Sequence, residues 1–322
     1  YDAIVALNED LTNTQLNELE DLLNSDEIDS NESVYYEEVT KQTGRNNDTQ
    51  PIKLIVPEDT KTFDKYISLI SRKTGENIEL SNDGVVISER LAKLLDVKVG
   101  ESFTYTDSND KERTVRVTGI CEMYAGHFIF MNTEEYTSIY NSNFETNARL
   151  LSLKDSSLEN TKNESAKFMK LSAVKGVAQN TTLYNQIDTI VQSLNKIMLV
   201  LIIVASMLAV VILYNLTNIN VAERIRELCT IKVLGFYDYE TTMYIYRETI
   251  FLSALGIVVG WIIGILLHSY ILNVVPPDQV MFNPSIWIGA YIIPFVVISV
   301  VTFVLKYYVN NKLKNVDMLE AL

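Results

Sequence analysis

Histidine and cysteine are almost missing from this sequence, which has two of each in 322 residues. His127 and His268 stand far apart with no cysteine beside them, so the ligand spacings of a metal centre do not occur. No metal and no cofactor is expected. Cys121 and Cys229 cannot make a disulfide framework, and a domain holding only one of them must rely on its apolar core. The G-x-x-x-x-G-K-[ST] loop of nucleotide hydrolases is missing as well. Carboxylates at Glu18, Glu20, Glu37 and Glu38 read as solvated surface and His127 as a loop residue, without the partner pattern that acid–base or nucleophilic work requires. The chain is not expected to be an enzyme. Positive charge is short too, with 27 Lys and Arg against 41 Asp and Glu, a net −14 that gives nucleic acid no basic footprint.

The acidic excess is confined to one part of the chain. Residues 1–195 hold 33 of the acids and 19 of the bases, whereas residues 196–322 hold eight of each. That second part is neutral and apolar, the composition of membrane-embedded protein. Three of its runs approach the roughly 20 residues that cross a ~30 Å hydrocarbon layer: 197–214, 250–267 and 286–305. Basic residues orient them. Arg224, Arg226, Lys232 and Arg247 lie in the 215–249 connection, and Lys306, Lys312 and Lys314 follow the third run, while 268–285 has no Lys or Arg. The positive-inside bias then places 215–249 and the C-terminus in the cytoplasm and residues 1–196 outside. The sequence opens at Tyr1 with neither a methionine nor a signal peptide, so at least one upstream membrane segment is expected.

Between the first two runs, Val221, Ile225, Leu228, Ile231 and Leu234 recur at three to four residues, with Arg224, Arg226, Glu227 and Lys232 around them and Gly235 where a helix would stop. Such an amphipathic helix either lies along the membrane surface or docks a cytoplasmic partner. Gly256, Gly260 and Gly264 form a double GxxxG in the second run, which lets another backbone approach closely, within this chain or from a second copy. Glycine is also simply commoner in membrane helices. Pro294 should kink the third span. Leu183, Ile187, Ile190 and Leu194 continue at helical spacing into the first run, predicting a stalk helix over 183–196.

Arg224-Ile225-Arg226-Glu227-Leu228 followed by Ile231-Lys232-Val233-Leu234-Gly235 resembles the R-x-R-E-I … L-R-A-L-G signature of FtsX-like and MacB-like ABC transporter permeases. Glu248, eight residues before Gly256, with Gly260 and Gly264 beyond it, is similar to the Glu-plus-glycine span of that family. The tail Asp317-Met318-Leu319-Glu320-Ala321-Leu322 looks like the family's closing P-x-E-A-L, with Met318 replacing proline, and Cys229 stands where glycine is usual. The resemblance implies four spans per unit, with a large extracytoplasmic domain between the first and second. This chain would then start after that first span, or be the last part of a ten-span relative. It further implies a separate cytoplasmic ATPase dimer as partner. Arg224, Arg226, Glu227, Leu228, Lys232, Leu234 and Gly235 would couple to it, and Glu248 would join the glycines in helix packing.

The first part reads as α+β. Strands are predicted at Ile4–Leu7, Ile52–Val56, Val85–Ile87, Ser102–Tyr105, Arg113–Ile120, Phe128–Met131 and Leu150–Leu153. Helices are predicted at Thr12–Leu23, Thr62–Ser71, Ser88–Leu95, Asn132–Tyr140 and 160–172. The stretch Gly84–Gly100 and the strands after it resemble the small β-rich subdomain of MacB-like periplasmic domains, which leaves 1–60 and 145–182 as a porter-like βαβ subdomain. The expected organisation is an extracytoplasmic domain over 1–182, the stalk, and a membrane domain over 197–322 in a bacterial cell membrane.

Three functions fit this organisation. The first is a permease subunit that couples ATP hydrolysis to movement of its outer domain (mechanotransmission), for export of, or resistance to, peptides or antibiotics. The second regulates a cell-wall hydrolase or a sensor kinase through that domain. The third is an anchored receptor without an ATPase. Expected contacts are membrane lipid, a second permease copy or half, and an extracellular peptide or cell-wall enzyme. The acidic surface either steers cationic ligands or merely keeps the domain soluble.

Overall fold

The computed structural model describes residues 1–44 and 47–314. The chain forms two compact units, one of Tyr1–Val191 together with Pro276–Asn283, the other of Gln192–Val275 and the segment from Pro284 onward.

In the first unit β1 (Ala3–Leu7) leads through α1 (Asn13–Leu23) to β2 (Ile28–Thr43), a strand of 16 residues. Helix α1 begins at Thr12 because Thr12 and Gln15 bond reciprocally, a capping box that satisfies amides the helix itself leaves free. β3 (Asp48–Pro57), the single turn α2 (Thr60–Phe63), β4 (Val85–Ser88), α3 (Glu89–Leu95), β5 (Ser102–Thr106), β6 (Glu112–Cys121), β7 (Phe128–Phe130) and α4 (Thr133–Tyr140) follow. β8 (Ala148–Leu153), α5 (Leu158–Phe168) and β9 (Val174–Gln179) complete the unit.

All nine strands share one hydrogen-bonded sheet, and β2 divides it into two halves. Its first half pairs with β8, giving the antiparallel order β2-β8-β1-β9. With α1 and α5 in the crossovers, this half is a β-α-β pattern used twice. Its core holds Val5, Leu19, Leu23, Ile28, Leu151 and Phe168. The second half of β2 pairs with β3 from Val34↔Pro57 to Thr43↔Asp48, and Thr40 opposes Thr106 of β5. Because β3-β7-β4-β6-β5 are already neighbours, those two pairings close six strands into a ring. Val39, Ile52, Leu54, Ile87, Val117 and Ile129 belong to a core cluster of that ring, all without solvent exposure. Each such side chain contributes roughly 1.5–3 kcal/mol by leaving water.

Several sequence expectations change here. Of the predicted 62–71 helix only Thr62 and Phe63 are helical, as the end of the turn Thr60–Phe63. Ile67 and Leu69 beyond it bury on alternate positions beside Phe63, and Ile70 bridges to Asn77, so packing overrides helix propensity. The ring also recruits β3 and half of β2, residues that the reading of 1–60 as a single flanking piece assigned to the porter-like part. Helix α5 ends at Phe168 rather than 172.

The second unit is helical. α6 (Asn180–Glu223) starts in the first unit and runs unbroken for 44 residues, followed by α7 (Ile225–Val233), α8 (Asp238–Val274) and α9 (Gly289–Lys314). Helical segments at Asp188–Glu223, Glu240–Val274 and Gly289–Tyr308 are long and apolar enough to cross a membrane. Their large apolar side chains point outward, Ile202 at 60% and Phe303 at 71% exposure, as surfaces that face hydrocarbon do. Pro294 lies inside α9, where it removes one backbone donor.

Candidate functional site

The segment between the first two long helices is built by an interruption. Arg224 leaves the helical path for one residue, which separates α6 from α7, while hydrogen bonds from Arg224 N–H to Asn220 O (3.3 Å) and Leu228 N–H to Arg224 O (3.0 Å) keep the two continuous. α7 ends at Val233, and Gly235 two residues on turns the chain with a φ of +93°, open to glycine and strained for other residues. α8 then starts with the Tyr237 N–H donating to the Glu240 carboxylate at 3.0 Å.

Two contacts tie this joint to the helices around it. Val221, Leu228, Tyr246 and Leu305 bury together, joining α6, α7, α8 and α9. The Arg224 guanidinium meets the Glu248 carboxylate at 2.9 Å. Both partners are more than a third exposed, so the pair adds little stability; it fixes where the joint sits against α8. Glu248 thus reaches the α6–α7 joint rather than the glycines with which it was grouped. Thr217 on α6 and Thr249 on α8 are buried as well.

The expected apolar face is only partly covered. Val221 and Leu228 are buried, Ile225 and Ile231 half-buried, and Leu234 lies one residue past the end of α7 at 73% exposure. With Val233 (61%), Phe236 (52%) and Tyr237 (79%) it forms an exposed apolar tip on the turn into α8. Arg226 and Glu227 are exposed on α7 itself. Phe236 and Tyr237 were missed by periodicity because they stand in the turn, outside any repeat.

The remaining predicted residues lie apart from this joint. Gly256, Gly260 and Gly264 line a cavity of about 350 Å³ with Trp261, Tyr291 and Pro294, and a side chain added at any of the three would meet no atom within 4 Å. The close backbone approach expected within this chain is therefore not made among the described residues. Ile190 is exposed and Leu194 half-buried on α6. The side chains of Leu183, Ile187, Cys229 and Lys232, and the tail Asp317–Leu322, lie outside the described residues.

Among the carboxylates read as solvated surface, Glu18, Glu20 and Glu38 are exposed and Glu37 is not. Glu37 is 6% exposed and accepts hydrogen bonds from Tyr35 Oη, Tyr140 Oη (2.7 Å), and the N–H and Oγ of Ser108. Burial and that carboxylate raise the Tyr35 phenol above its usual range, and burial is the main cause for Tyr140 too. Nearby, buried Asp107 holds Arg113 at 2.9 Å. Burial alone would raise the Asp107 pKa, but hydrogen bonds from Lys111 N–H, Arg113 and Asn109 N–H outweigh it and keep the carboxyl below its ordinary value. His127 does lie in a loop, but at 1% exposure, and desolvation with the Arg90 charge lowers its pKa to about 4 against the pull of Asp278. Burial pushes the Cys121 thiol up to about 12. Among the described residues no three His, Cys, Asp or Glu side chains gather as metal ligands.

Residues 199–317 match the FtsX-like permease C-terminal family, a stretch that includes the joint and the exposed tip. The chain resembles the extracellular domain of YknZ, a noncanonic ABC-type transporter from Gram-positive bacteria, at 12% identity and a TM-score of 0.28, covering 51% of this chain and 88% of that one. It likewise resembles the periplasmic region of MacB from Actinobacillus actinomycetemcomitans, at 12% identity and a TM-score of 0.30, over 58% and 91% of the two chains. Curated protein sequences give no match.

Proposed function

We propose, from the match of residues 199–317 to the FtsX-like permease C-terminal family, that this chain is a permease subunit of an ABC system that turns ATP hydrolysis by a separate cytoplasmic ATPase into movement of its N-terminal unit. The observation that carries this reading is the exposed tip Val233, Leu234, Phe236 and Tyr237 on a joint held by Arg224–Glu248. Apolar side chains on the spans have lipid to face, but a turn between spans has none, so a protein partner is the fitting cover. The tip lies on the side made cytoplasmic by Arg224, Arg226, Lys232 and Arg247, and the N-terminal unit then lies outside the cell membrane.

Force enters at α7 and passes through the Leu228 cluster into α6. An unbroken 44-residue helix spans about 66 Å, roughly twice the hydrocarbon thickness, so α6 carries displacement from the joint to β9. The chain's own residues bind and transmit, and hydrolysis belongs to the partner. Such motion suits the export of, or resistance to, peptides or antibiotics.

The test is co-purification of the full chain with a co-encoded ATPase. Arg226→Ala with Glu227→Ala, and separately Leu234→Ser with Tyr237→Ser, are expected to lower ATPase association at least tenfold while the chain still enters the membrane. Unchanged association in both pairs would sink the coupling role.

A further inference from the structure

The turn between α8 and α9 does not belong with the helices that flank it. Pro276–Asn283 clusters with the first unit, whereas the residues before and after it cluster with the second. Three sets of contacts hold it there. Val280 forms an antiparallel bridge with Ala125, with Gly126 N–H donating to Gln279 O at 2.8 Å and Met281 N–H to Tyr124 O at 2.9 Å. Arg90, on α3, donates from Nε to Asp278 O at 3.0 Å and from Nη2 to Pro277 O at 3.3 Å, and faces the Asp278 carboxylate at 3.5 Å. Val280 and Met281 are buried, at 9% and 5% exposure.

Even the backbone makes room for this segment. Gly44 has a φ of +90°, and a Cβ there would sit 2.7 Å from the Asp278 carboxylate, so glycine permits both the turn and the approach. Gln50 adds a donor to the same carboxylate at 3.4 Å. A chance contact of a short connecting turn would not combine strand-type pairing, a buried apolar pair and a three-way guanidinium contact.

We propose that residues 276–283 are a strap that attaches the α8–α9 pair to the ring half of the first unit, as a second mechanical input separate from α6. The two inputs reach different halves: α6 leaves from β9 in the open sheet, and the strap grips α3 and the loop before β7. Displacing α6 against α8 and α9 therefore twists one half of the sheet against the other, about β2, which both share. The mechanical role rests on the function proposed above; the attachment itself does not.

Hydrogen exchange on the full chain in nanodiscs, alone and with its ATPase, separates the two. Protection of 124–127 and 276–283 in the chain alone supports the strap, and exchange there at open-loop rates overturns it. Arg90→Ala should speed exchange in both segments at least tenfold without changing β3 or β6. If Arg90→Ala opens the ring as a whole, Asp278→Asn, placed on the strap itself, decides by the same readout. In the complex, a non-hydrolysable ATP analogue should alter exchange at 124–130 in the wild type, and Arg90→Ala should abolish that change while leaving the one at 180–191. An unaltered ring response in Arg90→Ala overturns the second input. Failure of the ATPase to bind refutes the proposed function and leaves the protection result standing.

Discussion

Val34, Ile52 and Leu54 are fully buried in the N-terminal unit, whereas Ile202, Phe303 and Leu266 in the helical unit stand 60%, 71% and 66% exposed. The same residue types are placed inside in one unit and outside in the other, because the solvent differs. In the first unit the buried carboxylates of Glu37 and Asp107 are surrounded by donors. A satisfied network has one low-energy arrangement and is rigid.

This contrast predicts effects of very different size. Glu37→Leu should cost the N-terminal unit more than about 3 kcal/mol, since the hydroxyls of Tyr35, Tyr140 and Ser108 lose their acceptor in a dry site. Thermal melting of the detergent-solubilised chain would show it, and a cost below about 1 kcal/mol would mean the network is ornamental. Acid should act next. Folding holds His127 neutral with a pKa of about 4, while the unfolded chain takes up its proton near 6.5. Stability therefore falls as pH drops from about 6.5 to 4, by up to about 3 kcal/mol in total, and is flat in this respect above. His127→Phe should remove that slope; a pH profile identical to wild type would contradict it.

The helical unit should respond in the opposite sense, with small changes in stability and large ones in behaviour. Arg224→Ala or Glu248→Gln should shift melting by no more than about 1 kcal/mol, since both partners are exposed, yet uncouple ATPase stimulation in the assembled complex. Smallest of all is Gly260→Ile, whose Cβ would meet no atom within 4 Å among the described residues and which should leave melting within about 0.5 kcal/mol. Cross-linking of tagged copies then distinguishes the two glycine readings: a loss of self-association assigns the stripe to a second copy, and no change assigns it to lipid.

What the sequence made legible divides along the same line. Apolar runs of about the length that crosses a bilayer announce α6, α8 and α9, because hydrocarbon disfavours polar interruptions. Strands β3, β6 and β8 are visible from their Val, Ile and Leu content. β2 is not, because Asp29, Ser30, Asn31, Glu32 and Ser33 hide its alternation, and because Glu37, one of its inward residues, is charged. Its position is set by β3 and β8 rather than by its own residues. The segment was found from its apolar repeat with charged residues around it, but the tip needed the end of α7 to be known, since Leu234 lies past Val233 and is exposed. The strap carried no signal at all, because a lone Arg90 and a short turn acquire meaning only when distant residues meet.

The shared strand also orders the events of biosynthesis. β2 meets β3 across a tight connection, and β5 meets β6 likewise, so every strand of the ring has emerged by Phe130. β1 pairs only with β8 and β9, whose residues begin at Ala148 and end at Gln179. The first strand of this sheet in chain order is thus among the last to find neighbours, and until then both its edges and the first half of β2 present bare amides and carbonyls to whatever is nearby. Quality control of this chain should concentrate on that interval, and slowed translation between residues 130 and 179 should raise its aggregation more than a pause between residues 1 and 130.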